Sequence, residues 1–202
     1  MTQITTRERR QRKIKQAILQ ATRELISENG VQGISLRAIA RRIDYSPAGL
    51  YEYFDSKHQL LETVRSEGLN HLRGYLEDVP SDLSPLERLF EVGLAYLEFA
   101  RREPELFLLI FCRTLEGHSA LEQLTRLDSP YRILHKAVQA ALDAGELQAK
   151  NGVSPKQLTY GLWSLIHGLA MLQQTQFRHL ECDFEAINRR TLETFARGLQ
   201  AV

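Results

Sequence analysis

The sequence predicts an all-α fold, and three observations predict it. Apolar residues recur three and four apart through most of the chain. Proline directly follows serine at Ser46-Pro47, Ser84-Pro85, Ser129-Pro130 and Ser154-Pro155. In that arrangement serine caps the free amides of a helix start, and proline takes a first-turn position where no intrahelical bond is lost. Alternation of apolar and polar residues, the mark of half-buried strands, is scarce. The 202 residues are 43% hydrophobic, enough for a sizeable core and one or two small domains.

The first 57 residues are expected to hold three helices. Residues 1–9 read as loose. Ile14, Ile18, Ala21 and Leu25 recur at helical spacing, so a first helix runs to about Glu28, with Asn29-Gly30 as its stop. A second helix, Leu36 to Arg42, turns Leu36, Ile39, Ala40 and Ile43 to one side and Arg37, Arg41 and Arg42 to the other. Asp44 falls in the following turn, and Asp tolerates a left-handed backbone better than most side chains. A third helix starts at Ser46-Pro47, with Leu50 and Phe54 inward and Ala48, Gly49, Tyr51 and Tyr53 outward.

Two short helices joined by a tight turn can lay one of them in a DNA groove. Ser46, Ala48 and Gly49 have almost no bulk, so such a surface approaches base edges closely. Tyr51 and Tyr53 carry hydroxyls able to bond phosphate oxygens, and Lys57 adds a cation. An ordinary surface helical hairpin fits the spacing too. Charge is uneven: residues 1–57 hold 11 Lys+Arg and 6 Asp+Glu, whereas residues 58–202 hold 15 and 19. A basic head on an acidic body suits one end meeting a polyanion. The cluster Arg7, Arg9, Arg10, Arg12, Lys13 and Lys15 reads as a phosphate-seeking arm or as a solvated charge run.

The run Leu36–Lys57, LRAIARRIDYSPAGLYEYFDSK, resembles the DNA-binding signature of the TetR/AcrR family of transcriptional regulators. Ile39-Ala40, Ser46-Pro47, Leu50-Tyr51, Tyr53-Phe54 and Ser56-Lys57 carry the match. Asp44 departs from it, since that family usually has glycine there. With the preceding helix the likeness covers roughly residues 10 to 60. It implies a helix-turn-helix DNA-binding domain over residues 1–57 and a helical bundle for ligand binding and dimerisation over 58–202. Ser35, Tyr51, Tyr53 and Lys57 would then hold phosphates. Arg37, Tyr45, Ser46, Ala48 and Gly49 would meet bases, with Pro47 on the same surface.

In the body, Ser56 and Gln59 have capping-box form. The helix they start carries Leu60, Leu61, Val64, Leu69 and Leu72 and is expected to act as a lever over residues 57–77. Further helices are expected near 86–101, 105–115, 130–144, 155–177 and 184–200. Glu87 and Gln157 complete capping boxes behind Ser84 and Ser154. Helix 86–101 is apolar around much of its circumference and should be buried. Phe99, Phe107, Phe111, Tyr131 and Trp163 either line a pocket for an apolar or aromatic ligand or simply fill the core.

Residues 161–170, GLWSLIHGLA, resemble the Trp-His-Gly stretch of one TetR-type C-terminal regulatory domain. Trp163 and His167 share a face there. His167 is a candidate at the ligand site and reads more simply as a hydrogen-bonded structural residue. Leu158, Leu162, Leu165, Leu169 and Leu172 form one stripe; Phe184, Ile187, Thr191, Leu192, Phe195 and Leu199 form another. The family implies that these two helices build a homodimer interface, although stripes alone would equally complete a monomer core.

The chain shows no HExxH, P-loop, GxGxxG or GxSxG motif. Its histidines at 58, 71, 118, 135, 167 and 179 have no zinc or di-iron spacing. Glu67 and His71 sit four apart, a pairing that is usually solvated. No catalytic residue, metal or cofactor is therefore expected. Cys112 and Cys182 lack a metal-like pair and suit reduced thiols in a cytoplasmic protein. No signal peptide opens the chain, and the longest wholly apolar run, Leu106 to Cys112, is too short to span a bilayer. The expected function is a homodimeric repressor on a near-palindromic operator, released by a small ligand. An effector-less regulator whose body only dimerises is the alternative, and a helical-bundle enzyme a more distant one.

Overall fold

The computed structural model describes residues 5–111, 129–149 and 152–198. Cys112, His118, the end of the expected helix 105–115 and Leu199 lie outside the described residues. Among the described residues every regular element is helical. They form two compact units. The first comprises residues 5–68 and 105–111, and the second residues 69–104, 129–149 and 152–198. Within α4, Lys57–Glu77, the division falls after Gly68.

The first unit opens with α1, Thr6–Asn29. Residues 6–9 are helical, not loose. Thr5 caps the Glu8 amide at 3.3 Å, and the Glu8 carboxylate takes the Thr5 amide at 2.7 Å. That reciprocal box, a T-x-x-E signal set within a charged run, satisfies two orphan donors. Ile18, Leu19, Ala21, Leu25 and Ile26 are buried, and Gly30 ends the helix at φ 65°.

Helix α2, Leu36–Arg42, buries Ile39 and Ala40 and is capped by Ser35. Asp44 then adopts φ 51°, in the left-handed region. Helix α3 is Pro47–Leu50 only; a turn carries the chain through Tyr53. Leu50 and Phe54 are both buried, so the inward pair persists although the helix stops early. Helix α6, Pro104–Phe111, buries Leu106, Phe107, Leu109 and Ile110. Gly68 permits its close approach, since a Cβ there would stand 2.8 Å from Leu106 Cδ1.

The second unit is organised on α5, Pro85–Arg102, which packs against α7 (Pro130–Asp143), α8 (Pro155–Gln174) and α9 (Phe184–Arg197). Ser84 with Glu87 and Ser154 with Gln157 form the expected capping boxes. Helix α5 is not buried all round. Val92, Tyr96, Leu97 and Phe99 are interior, while Phe90 and Leu94 are half-buried. Asp183 starts α9 by accepting the Ala186 amide at 3.0 Å.

The left-handed turn gives a stability test. Asp44→Gly relieves a conformation that costs an L-residue strain, and should raise stability by roughly 0.5–1 kcal/mol in urea unfolding. A fall in stability would mean that the Asp side chain holds the turn.

Candidate nucleic-acid interface

Contacts join some of the expected DNA-facing residues: Tyr45 lies against Gly49 and Tyr53, and Lys57 reaches the Ile34 carbonyl next to Ser35. The Tyr45 amide bonds the Ala40 carbonyl at 2.9 Å, closing the turn after α2. Ser46 accepts the Gly49 amide at 3.0 Å and so starts α3. Leu50 is 1% exposed and Tyr51 57%, so one step along the helix passes from core to outer surface. Ser35, Arg37, Ser46, Pro47 and Ala48 are exposed, and Tyr45, Gly49, Tyr53 and Lys57 are half-buried. The Ser35 side chain accepts the Ala38 amide at 3.1 Å, leaving its own O–H to donate outward.

Tyr45 and Tyr53 meet edge to face at 6.3 Å. Hydrogen bonding with Tyr45, then burial, raises the Tyr53 phenol above its ordinary value, so it stays a neutral donor. Arg10 of α1 acts on the same phenol in the opposite sense, and more weakly. Lys15 lies over the Phe54 ring at 5.3 Å. A basic residue of α1 thus covers the ring that anchors the chain after α3, a proximity that no spacing along the sequence reveals. The Lys57 ammonium donates to the Ile34 carbonyl at 2.5 Å, tying α4 to the loop before α2. Arg42, expected among the outward cations, is engaged by Glu28 at 2.6 Å and Glu24 at 3.4 Å.

In the second unit the structure brings together three of the six expected ligand residues. Trp163 stacks on His167 at 6.1 Å with planes 6° apart, and Tyr131 meets Trp163 at 5.7 Å. Tyr96 joins them, its hydroxyl 2.8 Å from His167 Nδ1. Burial lowers the His167 pKa, which keeps the ring neutral at neutral pH. Phe99 packs instead with His71 and Tyr75, at 5.8 and 5.5 Å. Phe107 and Phe111 pair at 5.0 Å within the first unit. None of the six lines the cavity of about 560 Å³ found in the second unit between α5 and α9.

Two apolar stripes divide between inside and outside. Leu158, Leu162 and Leu192 are buried in the unit's own core. Tyr160 is 68% exposed and Leu180 57%, and Leu172, Phe177, Ile187 and Phe195 are exposed as well. These residues lie on or between α8 and α9. Glu67, weighed above as a partner for His71, is ion-paired with Arg23. Among the described residues no group of three His, Cys, Asp or Glu is placed to hold a metal, and no helix is long and apolar enough to cross a membrane.

A helix-turn-helix surface on one unit and a helical body in the other define a DNA-binding regulator in two parts. The family model for "Bacterial regulatory proteins, tetR family" matches residues 18–64, and that for the "Tetracyclin repressor-like, C-terminal domain" matches residues 89–195. The chain belongs to the TetR family of bacterial regulatory proteins: it is a DNA-binding transcriptional regulator and not an enzyme.

Among similar proteins, the uncharacterised HTH-type transcriptional regulator YobS of Bacillus subtilis is 23% identical over 90% of each chain. The nucleoid occlusion factor SlmA of Aliivibrio fischeri is 29% identical over 71% of this chain and 68% of its own length. Among solved structures, a Rhodococcus sp. RHA1 protein of unknown function superposes with a TM-score of 0.77, at 21% identity over 93% of this chain and 95% of its own. The regulator FadR of Bacillus subtilis, solved with stearoyl-CoA, gives 0.71 at 18% identity over 92% and 99%. At these identities the superpositions show the shared fold.

Two measurements probe these arrangements. A Cβ on Gly49 would stand 2.5 Å from Tyr45 Cε1, so the Tyr45 ring must move. Gly49→Ala should lower affinity for operator DNA at least several-fold in gel shifts while leaving the urea midpoint nearly unchanged. Unaltered affinity would remove Tyr45 and Gly49 from the interface.

The second concerns Glu98, whose carboxyl Arg101, then Arg102, hold at about 2, against an ordinary 4.5. A depressed acid stabilises the fold above its unfolded value and loses that contribution as pH falls through the folded one. Glu98→Gln should therefore be less stable than the parent near about pH 5, with the gap closing toward about pH 2. A gap independent of pH would show the ion pairs to be idle.

Proposed function

We propose that the protein is a homodimeric repressor that grips a near-palindromic operator and is released by a small ligand seated in its helical body. The observation that carries this is the exposed, nearly side-chain-free face of Ser46, Pro47 and Ala48 beside half-buried Gly49, flanked by tyrosines and held over buried Leu50 and Phe54. Such a face enters a major groove until backbone and short side chains meet base edges. Arg37, Tyr45, Ser46, Ala48 and Gly49 read bases. Ser35, Tyr51, Tyr53 and Lys57 position the unit on phosphates. Lys57 keeps two donors beyond its bond to Ile34, so both roles are compatible.

The exposed apolar residues of α8 and α9, Tyr160, Leu172, Ile187 and Phe195 among them, support pairing of two copies through those helices. A twofold axis then sets equivalent α3 surfaces in successive major grooves, about 34–36 Å apart. The effector is an apolar or aromatic small molecule, with Tyr131, Trp163 and His167 as an aromatic wall in the body. It acts by preferring a shape in which the two α3 surfaces no longer match that spacing, and a coupling of ~1–3 kcal/mol suffices. Helix α4 begins in the first unit and ends in the second, which suits it to transmit the change.

Gel shifts on the selected operator and on scrambled DNA, with salt titration, test the DNA reading. Tyr53→Phe should weaken binding to every duplex alike, because a phosphate contact carries no base information. Arg37→Ala should cost about 1–3 kcal/mol on the operator and narrow its advantage over scrambled DNA. If neither change alters either affinity, the interface is elsewhere.

A further inference from the structure

We propose that the groove between α5 and α9 is a binding site for a small organic monocation with an apolar body, distinct from the aromatic cluster at Trp163. The groove encloses about 560 Å³, within the range of small-molecule sites. Leu94, Leu97, Val79 and the rings of Tyr75 and Phe184 give it apolar walls. A second hollow of about 240 Å³ continues it along α5 past the Arg189–Glu91 ion pair, and the two share Glu91, Leu94 and Arg189. The wall is built rather than incidental. Asn188 is only 4% exposed, and its amide oxygen accepts from Gln173 Nε2 at 2.7 Å.

The charge of the lining selects the ligand. Three guanidiniums face the larger hollow, and each already has a carboxylate. Arg101 forks onto Glu98 through two bonds of 2.7 Å, Arg102 also bonds Glu98, and Arg189 meets Glu91 at 3.1 Å. Four carboxylates line the same hollow: Asp78, Glu91, Glu98 and Glu185. Glu98 and Glu91 are taken by those arginines, which leaves Asp78 and Glu185 as acceptors at the rim. Glu185 feels the field of Arg101, yet Arg101 has its fork on Glu98. The smaller hollow adds Glu87 and Glu193 and no further cation. An anion entering the groove would have to displace internal ion pairs and face the surplus carboxylates. A cation meets both acceptors directly and lays its apolar part on Leu94 and the other apolar walls.

Calorimetry on the full chain tests this with three probes that share one phenylbutyl body: 4-phenylbutyltrimethylammonium, 5-phenylpentanoate and 4-phenylbutan-1-ol. The ammonium should bind roughly tenfold tighter than the carboxylate, because two rim carboxylates each contribute a few-fold. The alcohol should fall between them. Asp78→Asn with Glu185→Gln should bring the ammonium down to the alcohol's affinity, and Leu94→Trp, which fills the groove, should abolish binding of all three. Equal or tighter binding of the carboxylate overturns the proposal. So does the absence of ammonium binding at millimolar concentration, or ammonium binding untouched by both the double variant and Leu94→Trp. Operator affinity measured on the same samples without probe reports separately on the regulator reading, so loss of one result leaves the other intact.

Discussion

The turn at Asp44 governs what the first unit presents to a duplex. Its left-handed backbone lets the Tyr45 amide return to the Ala40 carbonyl, so the chain reverses within a few residues of Arg42. Only then does Ser46 fall where its side chain caps α3. Burial of Leu50 and Phe54 fixes the rotation of α3 about its axis. With those two inward, Ser46, Pro47 and Ala48 face out, and the outer surface has backbone within reach of a partner. A helix of one turn has little stability of its own, so the cap and the two buried anchors maintain it.

Electrostatics in the first unit are more selective than its charge count suggests. Arg23 and Arg42 serve as internal ties, joining α1 to α4 and to α2 through Glu67, Glu24 and Glu28. Lys57 holds the loop before α2. Lys15 instead stands over the Phe54 ring. The basic excess thus includes cations that assemble the unit. Salt should therefore act on two things at once: attraction to phosphate and, more weakly, the surface ion pairs between helices.

The second unit shows the same division between filling and facing. Helix α5 packs against three other helices and buries Val92, Tyr96 and Leu97, while Phe99 turns to His71 and Tyr75 of α4 and the remaining side is closed only in part. Phe90 and Leu94 therefore look into a groove whose rim is charged. Trp163, His167, Tyr131 and Tyr96 form a packed set in which the histidine bonds a phenol and stays neutral.

Much of this was legible in the order of residues because the signals are local. Caps at Ser46, Ser84, Ser129 and Ser154, the stop at Gly30 and the strained turn at Asp44 each depend on neighbours within a few positions. Helix α1 began earlier than expected for the same kind of reason, a Thr5–Glu8 box hidden by its charged surroundings. Family membership, too, rested on a contiguous run of residues. What tertiary structure alone decided is which side of each stripe is covered. Leu158 and Leu162 turned inward while Tyr160 and Leu172 did not, Phe99 joined His71 rather than Trp163, and Arg42 was drawn to Glu28. Periodicity states that a helix has an apolar face. The partner that covers that face comes from distant parts of the chain, whose approach depends on packing volume and charge rather than on spacing.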